Sequence, residues 1–285
     1  MMPYRKGTFM LRLNQHSSQV AAKTYYQNMV GSTLASYYDH DRANSLEAAN
    51  CFIGRVDGKL ADRLSLTGGM TEEQFQDLIE GKAVDPNTGE RLRKRQNREG
   101  NNRVGLDLTF DPGGKSLSVY YAGTRDPLIP KLFDEARHET MVFDVEPRML
   151  ARVRQGGANH SRFTGNALWT SFPDLVTRPT KVKNEQGKWV ETYTVDPHIH
   201  DHNYIFQYTW DAEHVNRDGS KGAYLSADTS KIFSSMPYIQ KAFHARLYKK
   251  LRDHGFNVIE TEHGIELEGW NDQLSRMYSR RTEET

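Results

Sequence analysis

The sequence predicts an α+β domain of antiparallel strands with helices packed around them, and three observations predict it. Apolar and polar residues alternate over several short windows, two pairs of such windows flank hairpin-type turns, and stretches with helical spacing lie between and after them. No internal repeat or long linker divides the 285 residues, so 1–285 reads as one domain, long enough to bury a core. The content of 36% hydrophobic and 26% charged residues excludes a disordered tail. A mean hydropathy of -0.77, with no apolar run near the ~18 residues of a membrane span, excludes an integral membrane protein. The lone cysteine, Cys51, cannot form an internal disulfide, and the amino terminus lacks the apolar stretch and cleavage site of a secretory signal. A cytoplasmic compartment is expected. With 38 Lys+Arg against 37 Asp+Glu the formal charge is +1, so a nucleic-acid partner must be held by a local patch.

In chain order, Phe9, Leu11 and Leu13 alternate with polar neighbours and predict a strand over 8–14. Ser17 or Ser18 then caps a helix in which Val20, Ala21, Tyr25 and Asn28 share a face. TEEQFQDLIEG predicts a helix opened by Thr71 and closed by Gly81, and DPNTGE a turn. The run 90–103 is basic and poor in apolar residues, hence an exposed loop. RVGLDLTF places Val104, Leu106, Leu108 and Phe110 on one strand face and Asp107 on the other. After DPGG, KSLSVYYA reads as its hairpin partner. A helix follows in PKLFDEARHETMVFDVEPRML, with a break near Pro147, then the Gly-rich, polar QGGANHSRFTGN. LWTSF is a strand, TKVKNEQGKWVETYTV a hairpin turning at Asn184 to Gly187, and HIHDHNYIFQYTW one long strand. The end reads as helix (SSMPYIQKAFHARLYKKLRDHG), hairpin (FNVIETEHGIELEGW) and helix (DQLSRMYSRRTEE).

Three features carry chemistry. His198, His200 and His202 alternate, so on a strand all three leave one face. Residues at i and i+2 lie about 7 Å apart and converge on one cation, whereas i and i+4, about 13 Å apart, do so only if the strand bends. Two adjacent imidazoles plus a ligand from elsewhere are expected to hold a metal. Tyr25-Tyr26 and Tyr37-Tyr38 form two doublets, ordinary as packing residues. Beside a metal that neutralises a phosphate, however, a phenolate attacks phosphorus. Asp107, polar on an otherwise apolar strand, suits a base or an orienter of histidine.

The segments AAKTYY, SYYDHD, TEEQFQDLIEGKAVDPNTGERL, RVGLDLTFDPGGKSLSV, FTGNALWTSF and DPHIHDHN, in that order, resemble the MobF class of conjugative relaxases, the HUH transesterases whose relaxase domain commonly precedes a helicase. YKKLRDHGFNVIETEHGIELEGW and DQLSRMYSRR resemble the end of that domain. The resemblance spans nearly the whole chain and implies an antiparallel-sheet palm with helices around it. It also implies a metal-dependent endonuclease and strand transferase that cuts single-stranded DNA at the nic site of an origin of transfer and keeps the 5′ end as a phosphotyrosine. By motif, Tyr25 is the primary nucleophile with Tyr26 beside it. Tyr37 serves the second strand transfer with Tyr38 beside it, Asp107 helps activate the tyrosine, and His200 and His202 are metal ligands. Lys115 falls where the family has a phosphate-contacting lysine. Accessory relaxosome proteins and a helicase are the implied partners, and the helicase would begin where this sequence ends.

The chain departs from the pattern where the family's first metal histidine is expected, since counting from TGN reaches Asp174. A carboxylate there favours Mg²⁺ or Mn²⁺, with Zn²⁺ or Ni²⁺ as alternatives, and His198 is the substitute ligand if the strand bends. Residues 179–195 are an insertion, and the tyrosine pairs are more widely spaced than usual. The same chemistry serves a rolling-circle replication initiator; loss of a histidine suits a weakened origin-binding module, and idle tyrosines suit a metallohydrolase. For DNA contact, Arg91, Arg93, Lys94, Arg95, Arg98 and Arg103 form the expected patch, helped by Lys181, Lys183 and Lys188, with Trp169, Trp189, Tyr204 or Phe206 stacking on bases. GGKS is no phosphate loop, because Thr109 replaces the earlier glycine of that motif.

Overall fold

A computed structural model describes residues 12–16, 52–66, 68–92, 104–155, 157–177, 181–183, 187–191 and 196–278. Strands β1 (Arg12–His16) and β2 (Phe52–Asp57) precede helix α1 (Lys59–Arg63), strand β3 (Met70–Thr71) and helix α2 (Glu72–Glu80). The helix signals around α2 are met. Thr71 accepts from the Gln74 amide while the Gln74 side chain accepts from the Thr71 amide, and Gly81 closes the helix with φ 75°. Nine residues are too few for an isolated helix to be stable in water. Burial of Phe75, Leu78 and Ile79, about 1.5–3 kcal/mol each, makes the difference. In the turn after α2, Asp85 Oδ1 accepts from the Asn87 amide at 2.8 Å.

Strand β4 (Gly105–Phe110) follows and is buried on both faces, with Val104 outside it and in a different core from Leu106, Leu108 and Phe110. KSLSVYYA is not its hairpin partner. Ser116–Thr124 is helix α3, because both edges of β4 are already taken by other strands and the helix start is capped from afar. Glu266 accepts from the Lys115 amide at 3.1 Å and the Ser116 amide at 2.9 Å, a carboxylate on the positive end of the helix. A Cβ on Gly114 would sit 2.3 Å from the Glu266 carboxyl carbon, so the glycine is what admits the cap. The GGKS segment thus holds the chain's own carboxylate.

Helix α4 (Leu128–Thr140) runs into a π turn (Met141–Val145) and a 3-10 turn (Glu146–Arg148) containing Pro147, the expected break. The polar Gly-rich stretch is part of a hairpin: Leu150–Gln155 (β5) and Ala158–Phe163 (β6) pair, and a later strand lies on the other edge of β5. Strand β7 (Trp169–Val176) is followed by the short hairpin β8 (Lys181–Lys183) and β9 (Trp189–Glu191), paired Val182 to Val190. The histidine strand β10 (Pro197–Phe206) stops at Gln207, and Tyr208–Val215 (β11) starts a different sheet, so the single long strand expected there is two. Strand β12 (Lys221–Asp228), helices α5 (Ser230–Ser234) and α6 (Met236–Asp253), hairpin β13 (Val258–Thr261) and β14 (Gly264–Leu267), and helix α7 (Asp272–Met277) follow among the described residues.

The main sheet has the order β1-β4-β10-β7-β2-β3 with every neighbouring pair antiparallel, and a second sheet has the order β11-β12-β5-β6. One face of the main sheet carries Leu106, Leu108, Phe110, Ile199 and Ile205 against α3, α4 and α6. The other carries Phe172, Tyr204 and Phe206 against α1 and α2. The insertion is an excursion between two paired neighbours. At its base the Thr177 amide donates to Asp196 O at 2.8 Å and the Asp196 amide to Thr177 Oγ1 at 3.0 Å, so β7 and β10 are joined on both sides of it and resume pairing at Val176 and Pro197.

Candidate active site

The antiparallel register sets the site. Residues directly opposite in neighbouring strands share a face, and β10 pairs His200 with Asp174 of β7, His202 with Thr109 of β4, and Tyr204 with Asp107. Four sequence-predicted residues from three adjacent strands therefore meet on one face: Asp107, Asp174, His200 and His202.

Asp107, fully buried, accepts from His202 Nδ1 at 2.8 Å. Thr109 Oγ1 lies 3.1 Å from the same nitrogen. The carboxylate thus fixes His202 in the tautomer that carries its proton on Nδ1 and its lone pair on Nε2. Burial disfavours the charged ring, but the bond to Asp107 and that carboxylate's charge outweigh it, so His202 titrates above the ordinary histidine value. Among the described residues the Oδ1 atom of Asp107 is buried with no hydrogen-bond partner. His200 donates from Nδ1 to His198 O at 3.0 Å, which leaves its lone pair on Nε2, 3.7 Å from Asp174 Oδ2. Burial holds His200 below the usual value despite the pull of Asp174. A register shift between Pro197 and His200 bends the start of β10. The His198 ring accordingly stacks on His200 with centroids 4.7 Å apart, and His200 and His202 follow at 5.0 Å. Among the described residues no three His, Cys, Asp or Glu side chains converge as they stand into a group that would hold a metal ion.

The start of β10 is held by the segment that sequence reasoning made a strand. Ser118 of α3 accepts from the Ile199 amide at 3.0 Å. Lys115, half-buried, donates from Nζ to Pro197 O at 3.4 Å and Tyr278 O at 3.3 Å. Burial lowers its pKa, with Asp196 opposing.

Other predicted residues fall elsewhere. Tyr25, Tyr26, Tyr37, Tyr38, Arg93, Lys94, Arg95, Arg98 and Arg103 lie outside the described residues. Arg91 is exposed and bridges Val84. Lys181 and Lys183 sit on β8, Trp189 on β9, and Lys188 is exposed between them. Trp169, Tyr204 and Phe206 do not stack on bases: each is 0% exposed, and Tyr204 and Phe206 pack against Phe75 with centroids 5.4 and 5.5 Å away. Their strands are central, so both faces are covered.

Sequence reasoning missed Thr109 and the polar group behind the site. On the opposite face of β10, Asp201 and Asn203 meet Arg137 of α4 and Ser171 of β7. Burial pushes the Asp201 carboxyl up to about 6 against the pull of Arg137. The available signal was the strand itself, since DHN interleaves polar residues with the histidines and leaves β10 no apolar face at that point.

Compared with known families, residues 19–285 match the model for the TrwC relaxase. The chain belongs to the TrwC relaxase family. This family of conjugative relaxases comprises DNA-nicking transesterases, and the MobF resemblance is thereby met. The chain is similar in structure to conjugative relaxase TrwC in complex with oriT DNA in a metal-bound form, at 22% identity and TM-score 0.71 over 95% of this chain and 81% of that one. A copper-bound TrwC–oriT DNA complex gives 23% identity and TM-score 0.71 over 96% and 81%. TrwC complexed with a 27-mer comprising the recognition hairpin and the cleavage site gives 22% and 0.68 over 95% and 80%. At these identities the structures establish the shared α+β fold. No curated protein sequence matches the chain. No helix among the described residues is long and apolar enough to cross a membrane.

Proposed function

We propose that this relaxase nicks single-stranded DNA at an origin of transfer through Tyr25, at a divalent cation held by His200, His202 and Asp174. The observation that carries the reading is the alignment of these residues with β1. That strand pairs Arg12 with Thr109 and ends with His16 opposite Gly105, four register steps, or about 13 Å, past the level of His202. From a cap at Ser17 or Ser18 to Tyr25 is seven or eight residues, and a helix of that length rises about 11–12 Å. The sequence predicts a helix there, and one running back along β1 would bring Tyr25 close to the level of His202 and Asp107.

The donor set fits a cation. Each histidine is bonded through Nδ1 and so presents its Nε2 lone pair. Two neighbouring ligands at metal bonds of 2.0–2.2 Å stand about 3.4 Å apart in tetrahedral and about 3.0 Å apart in octahedral geometry, so the 3.7 Å between His200 Nε2 and Asp174 Oδ2 needs only a small side-chain adjustment to close on a cation. When bound, the cation neutralises charge on the non-bridging phosphate oxygens. The carboxylate favours Mg²⁺ or Mn²⁺. Asp107 orients His202, and its second oxygen takes the tyrosine proton. The phenolate then displaces the 3′ oxygen, the 5′ phosphate stays on Tyr25, and reversal reseals the strand without ATP. Tyr26 stands beside the nucleophile, while Tyr37 and Tyr38 serve the second transfer. Arg91, Arg93, Lys94, Arg95, Arg98, Arg103 and Lys115 contact phosphates, and binding weakens steeply with salt. The chain acts as one relaxase unit in the cytoplasm, with accessory relaxosome proteins and a helicase as partners.

The test is a labelled single-stranded oligonucleotide carrying the nic site, incubated with Mn²⁺. A covalent adduct is expected, lost in Tyr25→Phe; free ends without an adduct would mean hydrolysis by water and would overturn the reading.

A further inference from the structure

We infer that Arg137 is a positioning residue for the histidine strand. Its guanidinium, 1% exposed, lies directly behind the site. Nη1 donates to Ser171 Oγ of β7 at 2.7 Å and to Asn203 Oδ1 of β10 at 3.3 Å, and Nε stands 3.3 Å from Asp201 Oδ2 of β10. The amide of Asn203 continues to β4, donating to Leu108 O at 3.2 Å. One buried cation from α4 thereby ties the three strands that bring Asp107, Asp174, His200 and His202 together on the other face. Asp201 and Asn203 alternate with the histidines, so a displacement of either turns the backbone that aims His200 and His202. Asp134, one turn away on α4, receives Nη2 and fixes the guanidinium plane. A fork of donors in a fixed plane makes these bonds together, which a lysine's point charge does not. Side chains that support metal ligands from behind commonly alter metal affinity 10–100-fold when replaced.

The inference rests on the metal reading proposed above, and its test separates the two. Arg137→Lys keeps the charge and loses the fork; Ser171→Ala removes one acceptor with little change of volume. Three quantities are measured on each and on the unmodified protein: Mn²⁺ affinity by titration calorimetry, the His202 Nδ1–H resonance in the metal-free protein, and the melting temperature. The expected result is Mn²⁺ affinity at least tenfold weaker in Arg137→Lys, a smaller loss in Ser171→Ala, and a shifted or faster-exchanging His202 proton in both. A lower melting temperature with Mn²⁺ affinity within twofold and an unmoved proton overturns the inference. If Arg137→Lys does not fold, Ser171→Ala decides by the same criteria. If the unmodified protein binds no Mn²⁺, the metal reading fails, and the metal-free resonance alone judges the clamp.

Discussion

Asp107→Asn separates two roles for one carboxylate by size of effect. Asp107 accepts from His202 at 2.8 Å while fully buried. A hydrogen bond to a charged group contributes about 1.5–3 kcal/mol and a neutral one about 0.5–1.5. The asparagine oxygen keeps the bond and loses the charge, so His202 loses roughly 1–1.5 kcal/mol of orientation, close to a tenfold change, since 1.36 kcal/mol is tenfold in rate. If Asp107 only orients, adduct formation falls about 10–100-fold, as for other groups that support metal ligands, and higher Mn²⁺ restores it. If Oδ1 also removes the tyrosine proton, the loss at saturating Mn²⁺ reaches about 10²–10⁴-fold, because an amide cannot act as the base. The assay is the rate of covalent protein–oligonucleotide adduct on a denaturing gel across a Mn²⁺ series. The proposed function gives Asp107 both roles, so the larger, metal-insensitive loss is expected. An adduct rate and Mn²⁺ half-saturation both within threefold of the unmodified protein would refute the reasoning for either role.

Gly105→Ala puts a Cβ 2.1 Å from the Tyr204 ring, in a core with no room to yield, and should cost about 1–3 kcal/mol in urea unfolding. Because Tyr204 is paired with Asp107, adduct formation should slow as well. Tyr224→Phe removes the hydroxyl that donates to buried Asp85 at 2.7 Å and accepts from Arg63 at 3.0 Å. The expected cost is about 1.5–3 kcal/mol at pH 7. Burial raises the Asp85 pKa, but the bond from Tyr224, the turn amides and Arg63 outweigh it and leave it below 3.8. That stabilisation is present above the unfolded value and lost as pH falls through the folded one. The difference between Tyr224→Phe and the unmodified protein, followed by denaturant titration, should therefore be constant near neutrality and shrink below about pH 4. A penalty that stays constant down to pH 2 contradicts this account. The phenol itself is pushed up to about 12 by burial and by Asp85, so it stays protonated across this range.

Local signals were legible where they are self-contained. The Thr71 cap and Gly81 stop of α2, the insertion hairpin and the terminal hairpin each depend on neighbours in sequence. KSLSVYYA misled because its apolar residues suit either a strand or a helix. The choice was made by Glu266, 150 residues away, capping the Ser116 amide, and by neighbours already occupying both edges of β4. Trp169, Tyr204 and Phe206, expected to meet DNA, misled for a related reason: alternation shows which residues share a face, not whether another layer covers it.

By itself the sequence determined the candidate residues: three histidines with period two, an aspartate on the strand of GLDLTF, and Asp174 ahead of the histidine strand. Period and residue type are local, so they survive without a fold. Only the tertiary structure decided that Asp107 bonds His202, that Asp174 stands opposite His200 across an insertion, and that Arg137 ties the three strands from behind. Strand order and register join residues tens of positions apart, and no local preference encodes which edges will pair.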